Sequence, residues 1–315
     1  MDLLGIHHLT AISARIRENK RFYTETLGMR LVKRSVNQDD VSAYHLFYAD
    51  AKGTPGTDVT FFDWPVPPER RGTRAVTRTA LRVAGMETIG WWERRLRGSG
   101  VRAADPTVRD GRVTLDFEDP EGQRLALIDD DGAEAAFPWD RSPVPPEHQI
   151  RGLGPIAMSV PVLAPTDAVV RQVLNLRLER EYPHPDQPGH PVHDYAMGAS
   201  GPGAELHVAV QPDLPEANQG AGGVHHVAFR CPDADYDAWA DRLNEFGLPN
   251  SGKVDRYWFR SLYVREPNGV LFEIATDGPG FAVDEDPTTL GEKVVLPPFL
   301  EGRRAQIEAG LKPLD

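Results

Sequence analysis

The sequence predicts an α+β fold of four βαβββ modules, paired into curved, open, barrel-like sheets with helices outside. Three observations predict it. One order of strand-like and helix-like runs recurs four times in units of about 50–60 residues. The first and last units open on the same apolar His-His doublet, and a Pro-rich stretch divides the chain near its middle. A single unit cannot cover both faces of its sheet, so units are expected to pair and curve around a cleft, where ligands bind.

Unit one begins with a short apolar run at residues 3–13, containing Ile6-His7-His8-Leu9-Thr10. A helix over Glu18–Leu27 follows, with Phe22, Tyr23 and Leu27 at helical spacing and Gly28 as its stop. Leu31–Val36, Ala43–Tyr48 and Asp58–Phe62 read as strands, separated by Asp39-Asp40 and by Lys52-Gly-Thr-Pro-Gly. Unit two repeats the order: a strand at Ala75–Val83, then a helix at Met86–Leu96 with Ile89, Trp92 and Leu96 on one face. Strands at Val113–Phe117 and Arg124–Ile128 complete it, with a weaker one near Val101–Val108.

Unit three starts at Gly154, carries a helix around Asp167–Leu174 and closes with the strand Glu205–Val210. Its middle, Tyr182 to His193, is broken by prolines, and His184, His190 and His193 there read as a solvated loop because their spacing suits no standard metal site. Unit four has a strand at 224–230, a helix at 233–246 stopped by Gly247, and strands near 252–256, 259–265 and 270–275. A tail with a short helix at Glu301–Leu311 follows. The expected organisation is therefore an N-terminal half at 1–137 (modules at 3–63 and 75–129), a linker at 138–152, a C-terminal half at 153–276 (modules at 153–210 and 222–276), and a tail at 277–315.

Composition excludes several roles. A net charge of −12 disfavours general nucleic-acid binding, which needs clustered Lys and Arg. No window approaches about 18 consecutive apolar residues and the N-terminus lacks a basic, then apolar, leader, so neither membrane span nor signal peptide is expected. The single Cys231 excludes an intrachain disulfide and suits a reducing compartment, so a cytoplasmic location is expected. A second copy of the chain as partner is left open.

Aligned by strand order, the units concentrate their chemistry at the ends. First strands offer His8 and His226; only one member of each doublet faces a given cleft if the pleat is regular, which turns His7 and His225 away. The last strand of unit four holds Glu273 in an apolar run, where a carboxylate costs several kcal/mol unless paired. Unit one is expected to place Phe62 at the matching position, and unit three His207. Two histidines and one carboxylate with open positions suit non-haem Fe(II) oxygenase chemistry; a closed four-ligand site suits lyases and isomerases. Tyr44-His45 reads as packing within unit one.

Ile6-His7-His8-Leu9-Thr10, Tyr44-His45 to Asp50, Gly53-Thr-Pro-Gly56-Thr and the late Phe281, Asp284-Glu-Asp286 and Leu290-Gly291 resemble the hydroquinone-type ring-cleaving (extradiol-like) dioxygenases of the vicinal oxygen chelate superfamily, over almost the full length. The resemblance implies Fe(II) (with Mn(II) or another divalent metal as alternative) held by His8, His226 and Glu273. It places Thr10, His225, Arg256 and Tyr263 in catalytic or substrate-binding positions; His7, the other member of the first doublet, is a further substrate-binding candidate outside the resemblance. The implied activity is O₂-dependent cleavage of a hydroquinone- or catechol-type ring, with the small aromatic substrate and O₂ as partners. A glyoxalase-like lyase or isomerase, and a non-catalytic small-molecule-sequestering protein of the same fold, are the competing readings. Aromatic bulk at Phe62, Trp258 or Phe272 is expected to line the cleft.

Overall fold

The strand-like runs become strands because each alternates an apolar side toward helices with a second side toward a concave interior. A computed structural model describes residues 1–132 and 135–314; positions 133, 134 and 315, which the expected N-terminal half and tail include, lie outside the described residues. Unit one comprises β1 (Ile6–Ser13), α1 (Ile16–Arg21, continued by a π-helical turn Phe22–Thr26), β2 (Arg30–Val36), β3 (Tyr44–Ala49) and β4 (Asp58–Asp63). Unit two comprises β5 (Ala75–Val83), α2 (Met86–Gly98), β6 (Thr107–Arg109), β7 (Arg112–Glu118) and β8 (Arg124–Asp129).

Unit three comprises β9 (Gly152–Val160), α3 (Leu163–Ala168, continued by a π-helical turn Val169–Val173), β10 (Arg177–Pro183), β11 (Pro191–Ala196) and β12 (Glu205–Val210). Unit four comprises β13 (Val224–Cys231), α4 (Tyr236–Glu245), β14 (Val254–Asp255), β15 (Arg260–Arg265) and β16 (Leu271–Thr276). The tail ends in α5 (Arg304–Gly310). Two expectations need correction. α3 starts four residues before Asp167, because Pro165 falls in its first turn, where a missing N–H costs no helical bond. The His/Pro-rich middle of unit three is not a solvated loop throughout: β10 and β11 pair as a hairpin around it, and His193 is buried in β11.

Two eight-stranded sheets form, in the orders β14-β15-β16-β13-β1-β4-β3-β2 and β10-β11-β12-β9-β5-β8-β7-β6. Unit one therefore shares a sheet with unit four, and unit two with unit three, joined through antiparallel first strands. The outer sides, with Leu9, Val59, Leu127, Val227 and Phe272, pack against one another and the helices in a single core that buries Trp92 and Trp239. Burying each such apolar side chain stabilises the fold by about 1.5–3 kcal/mol.

The tail is tied onto unit one by a lysine with no exposed surface. Lys33 Nζ donates to Asp284 Oδ1 at 2.8 Å, to the Phe281 carbonyl at 3.0 Å, and to Glu285. Glycine is required where the tail touches down: Gly291 has φ +76°, and a Cβ there would stand 2.0 Å from the Leu31 carbonyl oxygen. Phe281 packs on Phe47 at 5.1 Å, and Trp258 Nε1 donates to Asp284 Oδ2 at 3.0 Å, so the tail backs one wall of the concave interior.

Candidate metal centre

β1 and β13 run antiparallel at the middle of their sheet, with Thr10 opposite His226 and His8 opposite Ala228. β16 lies parallel to β13 and sets Glu273 beside Ala228. These registers bring together residues more than 200 positions apart. His8 Nε2 and His226 Nε2 are 3.2 and 3.0 Å from Glu273 Oε2, and 3.3 Å from each other. All three side chains are buried. Donor atoms about 2.1 Å from one divalent ion and at right angles would stand about 3.0 Å apart, so the spacing suits a facial set of three ligands.

Proton bookkeeping also calls for a cation. His7 Nε2 lies 3.1 Å from the Thr276 carbonyl, which can only accept, so that nitrogen carries His7's proton. His7 Nδ1 is then bare and takes the proton of His8 Nδ1, 2.9 Å away, leaving His8 Nε2 bare toward Glu273. His225 Nδ1 stands 2.7 Å from His226 Nδ1, a second ring-to-ring hydrogen bond of the same kind. Burial holds the imidazoles of His7 and His225 down at about 3 and lowers that of His226, so all three are neutral near pH 7. Burial raises the Glu273 carboxyl, and it is held down and ionised only by positive charge at the facing His8 and His226 nitrogens, a proton or a bound cation. Among the described residues neither of its oxygens accepts a hydrogen bond. Bare nitrogens and an ionised carboxylate converging on one buried point fit a divalent metal, which offsets the desolvation of the charge.

The resemblance-implied residues fall around this point at different removes. His7 and His225 sit behind His8 and His226, the first against Phe259 and the second against Phe62 and Trp64. Thr10 is buried in the floor, its hydroxyl 2.8 Å from that of Thr60. Tyr263 stands opposite Glu273 on the neighbouring strand, its ring 5.8 Å from His226. Arg256 lies over the Tyr263 ring, donating from Nε to the Tyr263 hydroxyl oxygen at 3.1 Å and from its terminal nitrogen to Asp39 at 2.8 Å. Burial, then Glu273, pushes the Tyr263 phenol up, so it stays a donor.

Three expectations are corrected here. Phe62 does not occupy the position matching Glu273. Thr10 is to β1 what Ala228 is to β13, and Thr10 pairs with Thr60, so Thr60 stands there; Phe62 is one pleat further on, in the cleft wall. Phe272 does not line the cleft, because alternation turns it outward onto Phe229 in the core. His45 does more than pack unit one: Tyr44 points outward to the Lys312 carbonyl, whereas His45 turns inward. Its Nε2 is 2.9 Å from Thr60 Oγ1, and its ring lies between Phe47 and Phe62. The alternation within Tyr44–Ala49 was the signal for that placement. His8, His226, His45, Tyr263, Arg256 and Trp258 are among the walls of a cavity of about 40 Å³.

Known proteins share this arrangement of units. The family profile described as "Glyoxalase/Bleomycin resistance protein/Dioxygenase superfamily" matches residues 5–127 and 129–274. A Bacillus subtilis (strain 168) protein named "Putative ring-cleaving dioxygenase MhqA" is 44% identical over the full length of both chains. The "Chlorohydroquinone/hydroquinone 1,2-dioxygenase" of Sphingobium indicum is 32% identical, covering 96% of this chain and 94% of its own. The crystal structure of a "putative dioxygenase" from Bacillus subtilis superposes with a TM-score of 0.89 at 34% identity, covering 99% of this chain and 98% of that one. The fold, the match along nearly the whole sequence and these relatives agree: the chain belongs to the glyoxalase/bleomycin resistance protein/dioxygenase superfamily.

Proposed function

We propose that the protein is an Fe(II)-dependent dioxygenase that cleaves the aromatic ring of a hydroquinone-type substrate with O₂. The observation that carries the reading is the convergence of His8 Nε2, His226 Nε2 and Glu273 Oε2 with Thr60, not a fourth ligand, at the matching position. Relatives named for ring cleavage, one of them for hydroquinone, support the substrate class. When bound, Fe(II) supplies Lewis acidity toward a phenolic hydroxyl and reducing power toward O₂.

The chain's own residues supply the rest. His7 and His225 hold the two ligand rings in the tautomer that leaves Nε2 bare. His45 is the imidazole of the cleft that is neither ligand nor support; burial, then His8 and His226, hold it neutral, so through its Nε2 it can hydrogen-bond a phenolic hydroxyl. Arg256 donates into the Tyr263 oxygen, which frees the Tyr263 proton for a substrate or ring-opened oxygen. Thr10 fixes the Thr60 hydroxyl, and Phe47, Phe62 and Trp258 exclude water from the ring. The halves 1–137 and 153–276, joined by 138–152, each contribute one module to either sheet, unit one pairing with unit four and unit two with unit three. Among the described residues no helix is long and apolar enough to cross a membrane, and a lone buried thiol, Cys231, suits the cytoplasm.

Anaerobic loading with Fe(II), followed by O₂ uptake with hydroquinone and catechol panels, tests the reading. Stoichiometric uptake with a hydroquinone is expected. Iron-loaded protein that consumes no O₂ with either ring class, while converting a glutathione hemithioacetal, would overturn it.

A further inference from the structure

The sheet of units two and three repeats the frame of the metal-centre sheet with other chemistry. In the first sheet His8 pairs with Ala228, and Ala228 with Glu273. In the second, Arg78 pairs with Ala157, and Ala157 with His207. Arg78 thus stands where His8 does, and His207 where Glu273 does. His207 is fully engaged: its Nδ1 is 2.7 Å from the Tyr182 hydroxyl, and its Nε2 is 3.1 Å from Glu205 and 3.3 Å from Asp194. Arg112 grips Glu205 with two 2.6 Å bonds, so these groups already pair with one another in an ion network.

Arg78 is not engaged in that way. Among the described residues the one polar contact of its side chain is an ion pair of 3.8 Å with Asp116, whose two oxygens Arg109 already holds at 3.0 and 2.7 Å. Its buried Nε has no partner. Beside it opens a cavity of about 710 Å³, far larger than that at the metal centre. Guanidinium groups lining it outnumber carboxylates five to three, and one cation remains in excess even when Glu69, bonded to Arg124, is counted. That excess lies in a chain of net charge −12. Ala157, Val192, Ala209 and Leu214 make part of its wall apolar.

We propose that this cavity binds a small organic monocarboxylate, its carboxylate seated on Arg78 and its hydrocarbon body against Ala157, Val192 and Ala209. One under-used guanidinium offers the planar fork that a carboxylate accepts in pairs of hydrogen bonds. A phosphate would need several free donors, and the other arginines of the cavity already hold Asp116, Glu118 or Glu69. The site is independent of the metal centre and of the reaction assigned to it.

Calorimetric titration of benzoate into the metal-free protein tests the assignment, with neutral benzyl alcohol as the matched control. Saturable one-site binding of benzoate is expected, with benzyl alcohol at least about tenfold weaker, as the loss of a charge-assisted hydrogen bond requires. Arg78→Gln should weaken benzoate by at least about tenfold while leaving the thermal midpoint and metal loading unchanged, with Arg78→Lys intermediate. Arg256→Ala, at the other cleft, should leave benzoate binding intact. No saturable binding, equal affinity in Arg78→Gln, or loss in Arg256→Ala with retention in Arg78→Gln would each overturn the proposal.

Discussion

His7 Nδ1 lies 2.9 Å from His8 Nδ1, and one proton occupies the line between them. The Thr276 carbonyl decides whose proton it is, because it forces His7 to keep its own on Nε2. A backbone oxygen at the end of β16 thereby sets the lone pair that His8 turns toward Glu273. His7→Ala is expected to weaken metal affinity by about 10–100-fold, and His7→Gln, which can accept at one end and donate at the other, to recover most of it. Chelator-competition titrations measure both; equal loss in the two variants would make His7 a packing residue only.

Glu273→Gln removes the one formal charge of the centre and is expected to leave under about a tenth of an equivalent of tightly held metal. The metal-free variant should be no less stable than the metal-free parent, because an ionised, fully buried carboxylate without hydrogen bonds is gone. Metal analysis after desalting and urea midpoints check the two halves of the statement. Retained stoichiometric metal would sink the ligand assignment.

Thr60→Glu offers a carboxylate at the position that matches Glu273. Metal binding is expected to persist or tighten, while O₂ uptake with hydroquinone falls by at least about a hundredfold, since an open position is closed. Parallel metal analysis and oxygen-electrode assays separate this outcome from misfolding. Unchanged turnover would show that the Thr60 wall does not face the reacting positions.

Acid should act on the metal-free protein through its buried imidazoles. The His7 ring is held at about 3 by burial, against about 6.5 in an unfolded chain, so between those values the unfolded state binds the extra proton. Stability from this group is complete above about pH 6.5 and is lost on acidification, by about 1.4 kcal/mol per pH unit. Asp119, raised to about 6 by burial, and Asp58, raised well above the usual range, act in the opposite sense, so the total slope mixes both. The expected result is therefore a difference: between pH 6.5 and 4.5, His7→Gln loses less stability than the parent, read from urea midpoints at fixed ionic strength.

Lys33→Met leaves the buried Glu285 without its cation and is expected to cost about 3–5 kcal/mol and to release the tail to proteolysis. The double variant Lys33→Met, Glu285→Gln should recover most of the loss. Thermal unfolding and the rate of tail cleavage measure it.

Much of this was legible in the letters. Repeated strand order predicts the modules, and alternation separates His8 and His226 from the members of the doublets that face away. The Phe62 assignment failed for a physical reason: a slip of two residues keeps every side chain on its own face, so patterning is blind to it, and only the pairing Thr10 with Thr60 reveals it. His45 escaped because it was read together with Tyr44, which packs as expected, although alternation along Tyr44–Ala49 turns only one of the two inward. The hairpin of β10 and β11 was hidden by prolines, which sit at its strand ends rather than inside a ladder.

Because β1 opens the sheet that β16 completes at Thr276, the three donor atoms meet only when nearly the whole chain has left the ribosome. A growing polypeptide carries His8 for most of its synthesis with nothing to share an ion with. A chain that ends before Val224 offers only the first histidine doublet to such a site, and one that ends before Leu271 lacks its carboxylate.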